Sequence, residues 1–334
     1  LDDWIHVGRA FGASKITGPH LPQPVDLPDT NFRIKSDGSA IEPVSGQVGG
    51  LGFTFNESGD TFVSSIGWPA HLVVPLPWHS LARNPHVATP PLTMLVFPDR
   101  KVYPTSKAHP WRSKRAEDPG FAKFYTDGWG VAESQPNGYF TSCCAPLVYQ
   151  DRLMPELRGQ LLASETAQNL IHRSVIERDG SVHKLHRAPG EEASEFLAST
   201  DMWFHPIALS HGPDGGVWIS DFYREIIEDY SAIPRYLQQQ YGVTNGKDHG
   251  RIWRLVRSDT PPYKSTDMSG LSTAELAKEV GSPLYWRRET ARRLLIEGKS
   301  LDAAPELEAL IPVATEPAAV INALHTLNAL GQLS

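Results

Sequence analysis

The sequence predicts a mainly β fold with an α-helical tail. We expect part of a β-propeller, six-bladed in the full protein, followed by an α-solenoid of HEAT-like helix pairs. Two observations predict it: a strand-turn-strand unit recurs along the chain, and helical periodicity replaces it after residue 257. The 28 prolines and 27 glycines separate short strands in the first three-quarters of the 334 residues and thin out afterwards. We therefore assign propeller blades to 1–257 and helical repeats to 258–334.

The repeated unit is a hairpin. Residues 51–65 (LGFTFNESGDTFVSS) align with residues 207–221 (IALSHGPDGGVWISD) without a gap. Each copy has an apolar strand, a tight turn and a second apolar strand. Gly59 in one copy and Gly215 in the other supply the positive φ that such a turn needs.

Further copies are less regular. A third joins residues 146–149 to 159–164, and residues 3–7 resemble the second strand of a fourth. A four-stranded unit recurring every ~40–55 residues is typical of a propeller blade, whereas a β-sandwich also has short strands and turns. Residues 75–135, rich in proline, aromatic and basic residues, are the candidate insertion between blades.

The tail shows helix-start signals. Ser272 can cap a helix from 273 to about 280, with Glu275 at the reciprocal capping-box position. Pro283 suits the first turn of a second helix that ends at Gly298. Residues 302–311 and 317–330 form another expected pair. The Ala291…Leu295 pattern recurs as Ala323…Leu327, 32 residues later, a spacing typical of stacked helix pairs.

Composition argues against several classes of protein. The chain has 31 Lys and Arg against 38 Asp and Glu, a net charge of −7, so we expect no nucleic-acid partner. No apolar run approaches the ~18–20 residues that span a bilayer, and no signal peptide opens the chain. We expect the signal sequence to lie upstream of Leu1. G-x-S-x-G, P-loop and G-x-G-x-x-G motifs are absent, so serine hydrolase, nucleotide triphosphatase and Rossmann dehydrogenase functions lose their usual support.

The only two cysteines are adjacent, Cys143 and Cys144. Without C-x-x-C or C-x-x-C-H, they predict neither a zinc ribbon nor an attached haem within these residues. Two readings stay open: a pair of buried thiols, or a vicinal disulfide that stiffens a turn.

A series of short segments occurs in the order found in one bacterial family. They are residues 32–38, 45–47, 51–55, 62–64, 71–75, 81–85, 139–144, 153–155, 158–159, 169–173, 195–206, 212–215 and 250–254. In these motifs, and over nearly the whole chain including the helical repeats, the sequence resembles the PVC-type (planctomycete and verrucomicrobial) membrane-bound dehydrogenases. In that family a single cysteine matches Cys144, and Ser164 stands where its partner is expected, so a vicinal bond could replace the longer link.

The resemblance implies kinship to soluble glucose and sorbosone dehydrogenase propellers, some of which use pyrroloquinoline quinone (PQQ) and calcium. It implies a small sugar or alcohol substrate and a periplasmic or other extracytoplasmic location. Full-length members often end in a c-type haem domain, which is absent from this fragment. The expected electron acceptor is therefore a c-type cytochrome domain in cis or in trans.

Blade geometry predicts where a site would lie. The first strand of each hairpin is innermost and the second returns antiparallel, so strand starts and strand ends meet on one face, around a central funnel. The residues placed there are Gln47, Cys143, Cys144, Trp203, His205, Glu165, Asp221, Tyr223 and Arg224.

Each of these residues has an expected role. His205 could act as a general base, because imidazole titrates near neutral pH. Asp221 and Glu165 could hold calcium through oxygen atoms, and Arg224 could clamp a carboxylate such as those of PQQ. Gln47, Cys143, Cys144, Trp203 and Tyr223 would line the cofactor. The structural alternatives are that His205 shapes a strand start, Asp221 caps a turn, and Arg224 pairs with Glu225 or Glu228.

Two functions from different classes follow. The first is an extracytoplasmic PQQ-type sugar or alcohol oxidoreductase module. The second is a non-catalytic propeller and solenoid module that binds glycan or protein. In the second, Trp78, Trp111, Trp129 and the basic run 112–115 of the insertion would form the contact surface.

Overall fold

The computed structural model describes residues 4–8, 12, 14–44, 51–74, 80, 83–84, 86, 92–228, 232–261 and 267–333. Its strands are short and pair antiparallel throughout the described residues. Sheet I orders its three strands β1-β4-β5, and a separate ribbon pairs β2 with β3. Their bounds are β1 Trp4–Val7, β2 Ser14–Ile16, β3 Val25–Leu27, β4 Phe32–Lys35 and β5 Ile41–Pro43.

Three further sheets follow chain order. Sheet II holds β6 Phe53–Phe55, β7 Thr61–Ser65, β8 Trp68–Val73 and β9 Thr93–Leu95. Sheet III holds β10 Cys143–Val148, β11 Leu161–Glu165, β12 Leu170–Asp179 and β13 Val182–Arg187, with β14 Leu197–Ala198 beside β12. Sheet IV holds β15 Pro206–His211, β16 Val217–Asp221 and β17 Arg251–Leu255. The repeated hairpin is confirmed as β6-β7 and β15-β16, and Gly59 and Gly215 each turn with φ +84°.

Sheet III is covered on both faces. Along β11, Leu161 and Ala163 pack into the cluster shared with sheet II, while Leu162 packs into the cluster shared with sheet IV. All three side chains are fully buried, because successive residues of a strand point to opposite faces and both faces here meet apolar neighbours. The first strand of sheet III, β10, lies against both β6 and β15.

The candidate insertion at 75–135 holds more regular structure than its weak periodicity indicates. Its described part contains β9, which completes sheet II, and three helices. These are α1 Pro110–Glu117, α2 Pro119–Trp129 and α3 Val131–Ser134. Asp118 begins α2 by accepting hydrogen bonds from the first-turn amides.

The helical tail is confirmed. After the short α4 (Arg235–Gln238) come α5 Thr273–Glu279, α6 Tyr285–Glu297, α7 Ala304–Leu310 and α8 Pro317–Ala329. The capping box of Ser272 and Glu275 is present. The repeated positions Ala291, Leu295, Ala323 and Leu327 all lie in one buried cluster. Helix α6 begins two residues after Pro283, not on it, because Asp151 of the β region accepts a hydrogen bond from the amide of Tyr285 at 2.9 Å.

The described sheets form no closed barrel and no closed propeller ring. The structure confirms the order of the predicted elements: small antiparallel sheets come first, and most of the helical residues come at the C-terminal end. Within the described residues, no helix is long and apolar enough to cross a membrane.

Candidate functional site

The predicted ring residues that can be located lie along one edge of sheets III and IV. Strand starts do face strand ends there: Cys143 pairs with Glu165, and Pro206 pairs with Asp221. The Nδ1 of His205 donates to the carbonyl of Thr166 at 2.7 Å, which joins the two sheets. Gln47 lies outside the described residues.

Asp221 is a buried structural anchor. Its Oδ1 accepts the backbone amides of His205 and Tyr223 at 2.9 and 3.0 Å. Its Oδ2 accepts Nε of Arg251 at 2.8 Å and the indole N–H of Trp253 at 3.0 Å. Four donors therefore occupy the two carboxylate oxygens. Asp221 caps the turn, as expected, and also binds side chains of β17. Arg251 and Trp253 were not among the predicted site residues, because β17 lies thirty residues further along the chain.

Arg224 is also occupied. Its guanidinium donates to the carbonyls of Gly246, of Lys247 at 2.8 Å and of His249 at 2.5 Å. These bonds hold the loop 246–249 and leave the planar fork engaged with backbone rather than turned to a ligand carboxylate.

Glu165 is fully buried at the end of β11. Its carboxylate accepts the amides of Thr141 and Ser142 at 3.0 and 3.1 Å and the hydroxyl of Ser142 at 2.7 Å. Burial nevertheless raises the pKa of Glu165 to about 7, because loss of hydration outweighs these donors.

The two cysteines are free thiols beside Glu165. Cys143 is fully buried, and the Sγ of Cys144 lies 3.2 Å from the hydroxyl of Thr166. Burial raises the pKa of Cys144 to about 11 and that of Cys143 well above its usual value. Both are therefore protonated near pH 7 and poor nucleophiles.

Trp203 and Tyr223 stand together, with ring centroids 5.4 Å apart. The guanidinium of Arg251 covers the Tyr223 ring at 3.5 Å from its centroid. That face of Tyr223 is therefore used for a cation–π contact within the protein and is closed to a sugar or quinone.

His205 keeps one unused atom. Its side chain is buried, and its Nε2 has no hydrogen-bond partner among the described residues. Because a carbonyl oxygen can only accept, Nδ1 carries the proton and Nε2 carries the lone pair. Burial lowers the pKa of His205, so the imidazole is neutral near pH 7.

The cavity beside His205 is small, about 20 Å³. Its walls include Lys107, Asn169 and the pair His109 and Glu225, whose Nε2 and Oε1 lie 3.6 Å apart. That volume accommodates one water molecule.

These contacts do not fit a calcium ion with PQQ. The oxygens of Asp221 and Glu165 are taken by donors of the protein, and Arg224 is taken by carbonyls. The described residues contain no group of three or more His, Cys, Asp or Glu side chains that could hold a metal ion.

A much larger cavity, about 610 Å³, lies between the sheets and the helical tail; we call it the interface cleft. Aromatic and polar side chains share its walls. They are Trp4, His6, Phe53, Phe55, Asn56, Glu57, Ser58, Thr61, Gln150, Tyr285, Arg288, Glu289, Asn322 and His325, together with Gly59 and Ala318. No sequence motif indicates this cleft, because its lining residues are spread from position 4 to position 325 of the chain.

Two groups of polar contacts, one around Asp151 and one around Glu316, hold the walls of the cleft together. Asp151 accepts the first amide of α6 and so places a negative charge at the positive end of that helix. Glu316, which precedes α8, pairs with Arg152 and with Arg158, the latter at 3.2 Å. Arg158 also contacts Glu57 of the β6-β7 turn at 2.8 Å, so one guanidinium links a sheet wall to a helix wall.

The described residues thus form small antiparallel sheets followed by a C-terminal group of helices, with a cavity of about 610 Å³ where the two meet. Residues 1–259 match the model of a family described as a domain of unknown function, DUF7133. The chain belongs to that family. No curated protein and no solved structure matches it.

Proposed function

We propose that the chain is a binding module that holds a small polar ligand in the interface cleft. The observation that carries this proposal is the cleft itself: about 610 Å³, in the range of small-molecule sites, lined by aromatic rings and a few polar groups. It develops the non-catalytic alternative of the sequence analysis and moves the contact surface from the 75–135 insertion to the cleft.

A propeller arrangement for the sheets belongs to the same proposal. Its support is the burial of both faces of sheet III and the position of β10 against β6 and β15, as in a blade between two neighbours. We also propose, from the sequence resemblance, that the chain is kin to the PVC-type membrane-bound dehydrogenases and works outside the cytoplasm.

The test is ligand-dependent thermal stability of the whole chain. A ligand that binds only the folded state raises the unfolding temperature. Ser58, exposed on the β6-β7 turn, lines the cleft, so Ser58→Trp places a bulky ring there. The matched control is Ser39→Trp, on an exposed turn outside the cleft. We expect the ligand to raise the unfolding temperature of the wild type and of Ser39→Trp, and to leave that of Ser58→Trp unchanged. An equal rise in Ser58→Trp contradicts the proposal.

A sugar or alcohol oxidoreductase is the second candidate, and His205 is the observation that favours it. A neutral, buried imidazole with a free Nε2 is in the form that accepts a proton. The candidate requires the full-length protein as isolated to reduce a dye with some sugar or alcohol, and His205→Ala to abolish that activity. If the dye is not reduced with any of the sugars or alcohols tested, the oxidoreductase candidate is excluded.

A further inference from the structure

Two residues that line the interface cleft each have a buried polar side-chain atom without a hydrogen-bond partner among the described residues. They are Arg288 of α6 and Asn322 of α8, which are 4% and 3% exposed. The Nε of Arg288 and the Oδ1 of Asn322 have no hydrogen-bond partner among the described residues. Leaving buried polar atoms unsatisfied is costly, so each such atom in a ligand-sized cavity indicates a missing partner.

One of the two atoms is a hydrogen-bond donor and the other is an acceptor. Arg288 already donates from Nη1 to the carbonyl of Ser282 at 3.0 Å, and its Nε–H needs an acceptor. Asn322 already donates from Nδ2 to the carbonyl of Ala318 at 2.9 Å, and its Oδ1 needs a donor. A single ligand that satisfies both must present a donor and an acceptor, which is what a hydroxyl group does.

The sheet side of the cleft is lined by aromatic rings. The rings of Phe53 and Phe55 lie 5.6 Å apart and edge-on, and His6 packs against Phe55 at 5.2 Å. Trp4 of β1 adds a further ring on this side, and Tyr285 of α6 adds one on the helical side. A ligand with hydroxyls on its edge and C–H groups on its face matches this combination.

Charge limits the class of ligand. The charged side chains that line the cleft already have partners of opposite charge: Glu57 pairs with Arg158, Glu289 lies 3.9 Å from Arg292, and Arg288 lies near Asp151. A charged ligand would bring a charge without a partner into this balanced site, at a cost in desolvation. A neutral ligand carries no such cost.

We infer that the interface cleft binds a neutral saccharide, with Arg288 donating to a hydroxyl oxygen and Asn322 accepting from a hydroxyl. This inference rests on the proposed binding function and specifies its ligand class.

The experiment is calorimetric titration of the whole 334-residue chain with three kinds of probe. Neutral saccharides are glucose, galactose, xylose and cellobiose; glucuronic acid is the acidic saccharide; indole is the apolar aromatic probe. We expect binding of at least one neutral saccharide, weaker binding of glucuronic acid than of glucose, and no saccharide binding in Ser58→Trp.

Two variants test the hydrogen bonds. Asn322→Leu keeps the side-chain shape and removes Oδ1, and we expect roughly 3- to 10-fold weaker binding. Arg288→Met removes the charged donor, and we expect a loss of roughly tenfold or more. Thr326→Val is the matched control, buried one turn further along α8 and outside the cleft, and should bind as the wild type does.

The outcomes separate the two proposals. If indole or glucuronic acid binds, Ser58→Trp blocks it, and no neutral saccharide binds, the saccharide inference is overturned while the binding function stands. If a neutral saccharide binds and neither Ser58→Trp nor Asn322→Leu changes its affinity, the saccharide binds outside the cleft. That result overturns both the saccharide inference and the proposed binding function of the cleft. Should no probe bind the chain, both are likewise overturned. If Arg288→Met does not fold, Ser58→Trp and Asn322→Leu still decide the result.

Discussion

At the scale of single residues, the carboxylate of Asp221 collects donors from the start of β15, from the segment after β16 and from β17. Its side chain is fully buried, and Arg251 is its ion-pair partner. Arg251 is 30% exposed, so loss of the Asp221 charge costs chiefly the hydrogen bonds that the buried carboxylate accepts.

We therefore predict that Asp221→Asn lowers the free energy of unfolding by about 1.5–3 kcal/mol. The control is Asp259→Asn, which breaks an exposed pair with Arg257 and should change stability by less than about 1 kcal/mol. Urea unfolding followed by circular dichroism measures both. Equal effects of the two substitutions contradict a structural role for Asp221.

Glu165 makes stability depend on pH. Its pKa is about 7 in the folded chain against a usual 4.5, so the folded state binds the proton more tightly. The contribution is fully present below about pH 4.5 and is lost as the pH rises through about 7, a difference of about 3 kcal/mol at most. Glu165→Gln should remove this decline between pH 5 and pH 8. Identical pH profiles of unfolding free energy in the two proteins would show that Glu165 is not the group involved.

The thiols of Cys143 and Cys144 give a third residue-scale prediction. Both are protonated and shielded, so a disulfide-exchange reagent should react slowly with the native chain at pH 8. After denaturation without reductant, two thiols per chain should react, since both cysteines are free. Absence of reactive thiols after denaturation would indicate a vicinal disulfide instead.

At the scale of elements, the two hairpin turns are alike in backbone and differ in surroundings. Gly59 and Gly215 both have φ +84°. A Cβ on Gly59 would meet nothing within 4 Å, whereas one on Gly215 would lie 2.7 Å from Oδ1 of Asp151. Asp151 is the carboxylate that holds the start of α6.

Gly59→Ala should cost about 1–2 kcal/mol for backbone strain alone, and Gly215→Ala should cost more because it also displaces Asp151. Differential scanning calorimetry measures the two variants against the wild type. A smaller loss in Gly215→Ala than in Gly59→Ala would contradict the contact between this turn and the helical tail.

The sequence predicts these elements best where they depend on interactions between residues close together in the chain. Turn glycines, the Ser272 capping box and the repeated Ala291…Leu295 positions all depend on near neighbours in the chain, and all are confirmed. The helices of the 75–135 insertion were missed because proline and aromatic residues obscure their periodicity. The exact start of α6 depends on Asp151, more than a hundred residues away in sequence.

At the scale of the whole molecule, the sequence predicted which residues lie together better than what they do. Glu165, His205 and Asp221 share one sheet edge as strand geometry requires. Their roles depend on donors from distant segments, such as Arg251 and Trp253, which satisfy the carboxylate internally. The interface cleft depends wholly on how the tail docks, so only the three-dimensional structure reveals it.

The central claim is that one ligand contacts the sheets and the helical tail together in the interface cleft. Amide hydrogen exchange of the whole chain, with and without the tightest-binding neutral saccharide, tests this claim most directly. We predict slower exchange in three segments at once: 53–61 on the sheet side, and 285–289 and 318–325 on the helical side. Slower exchange confined to one side, or centred on His205 at the other sheet edge, would contradict it.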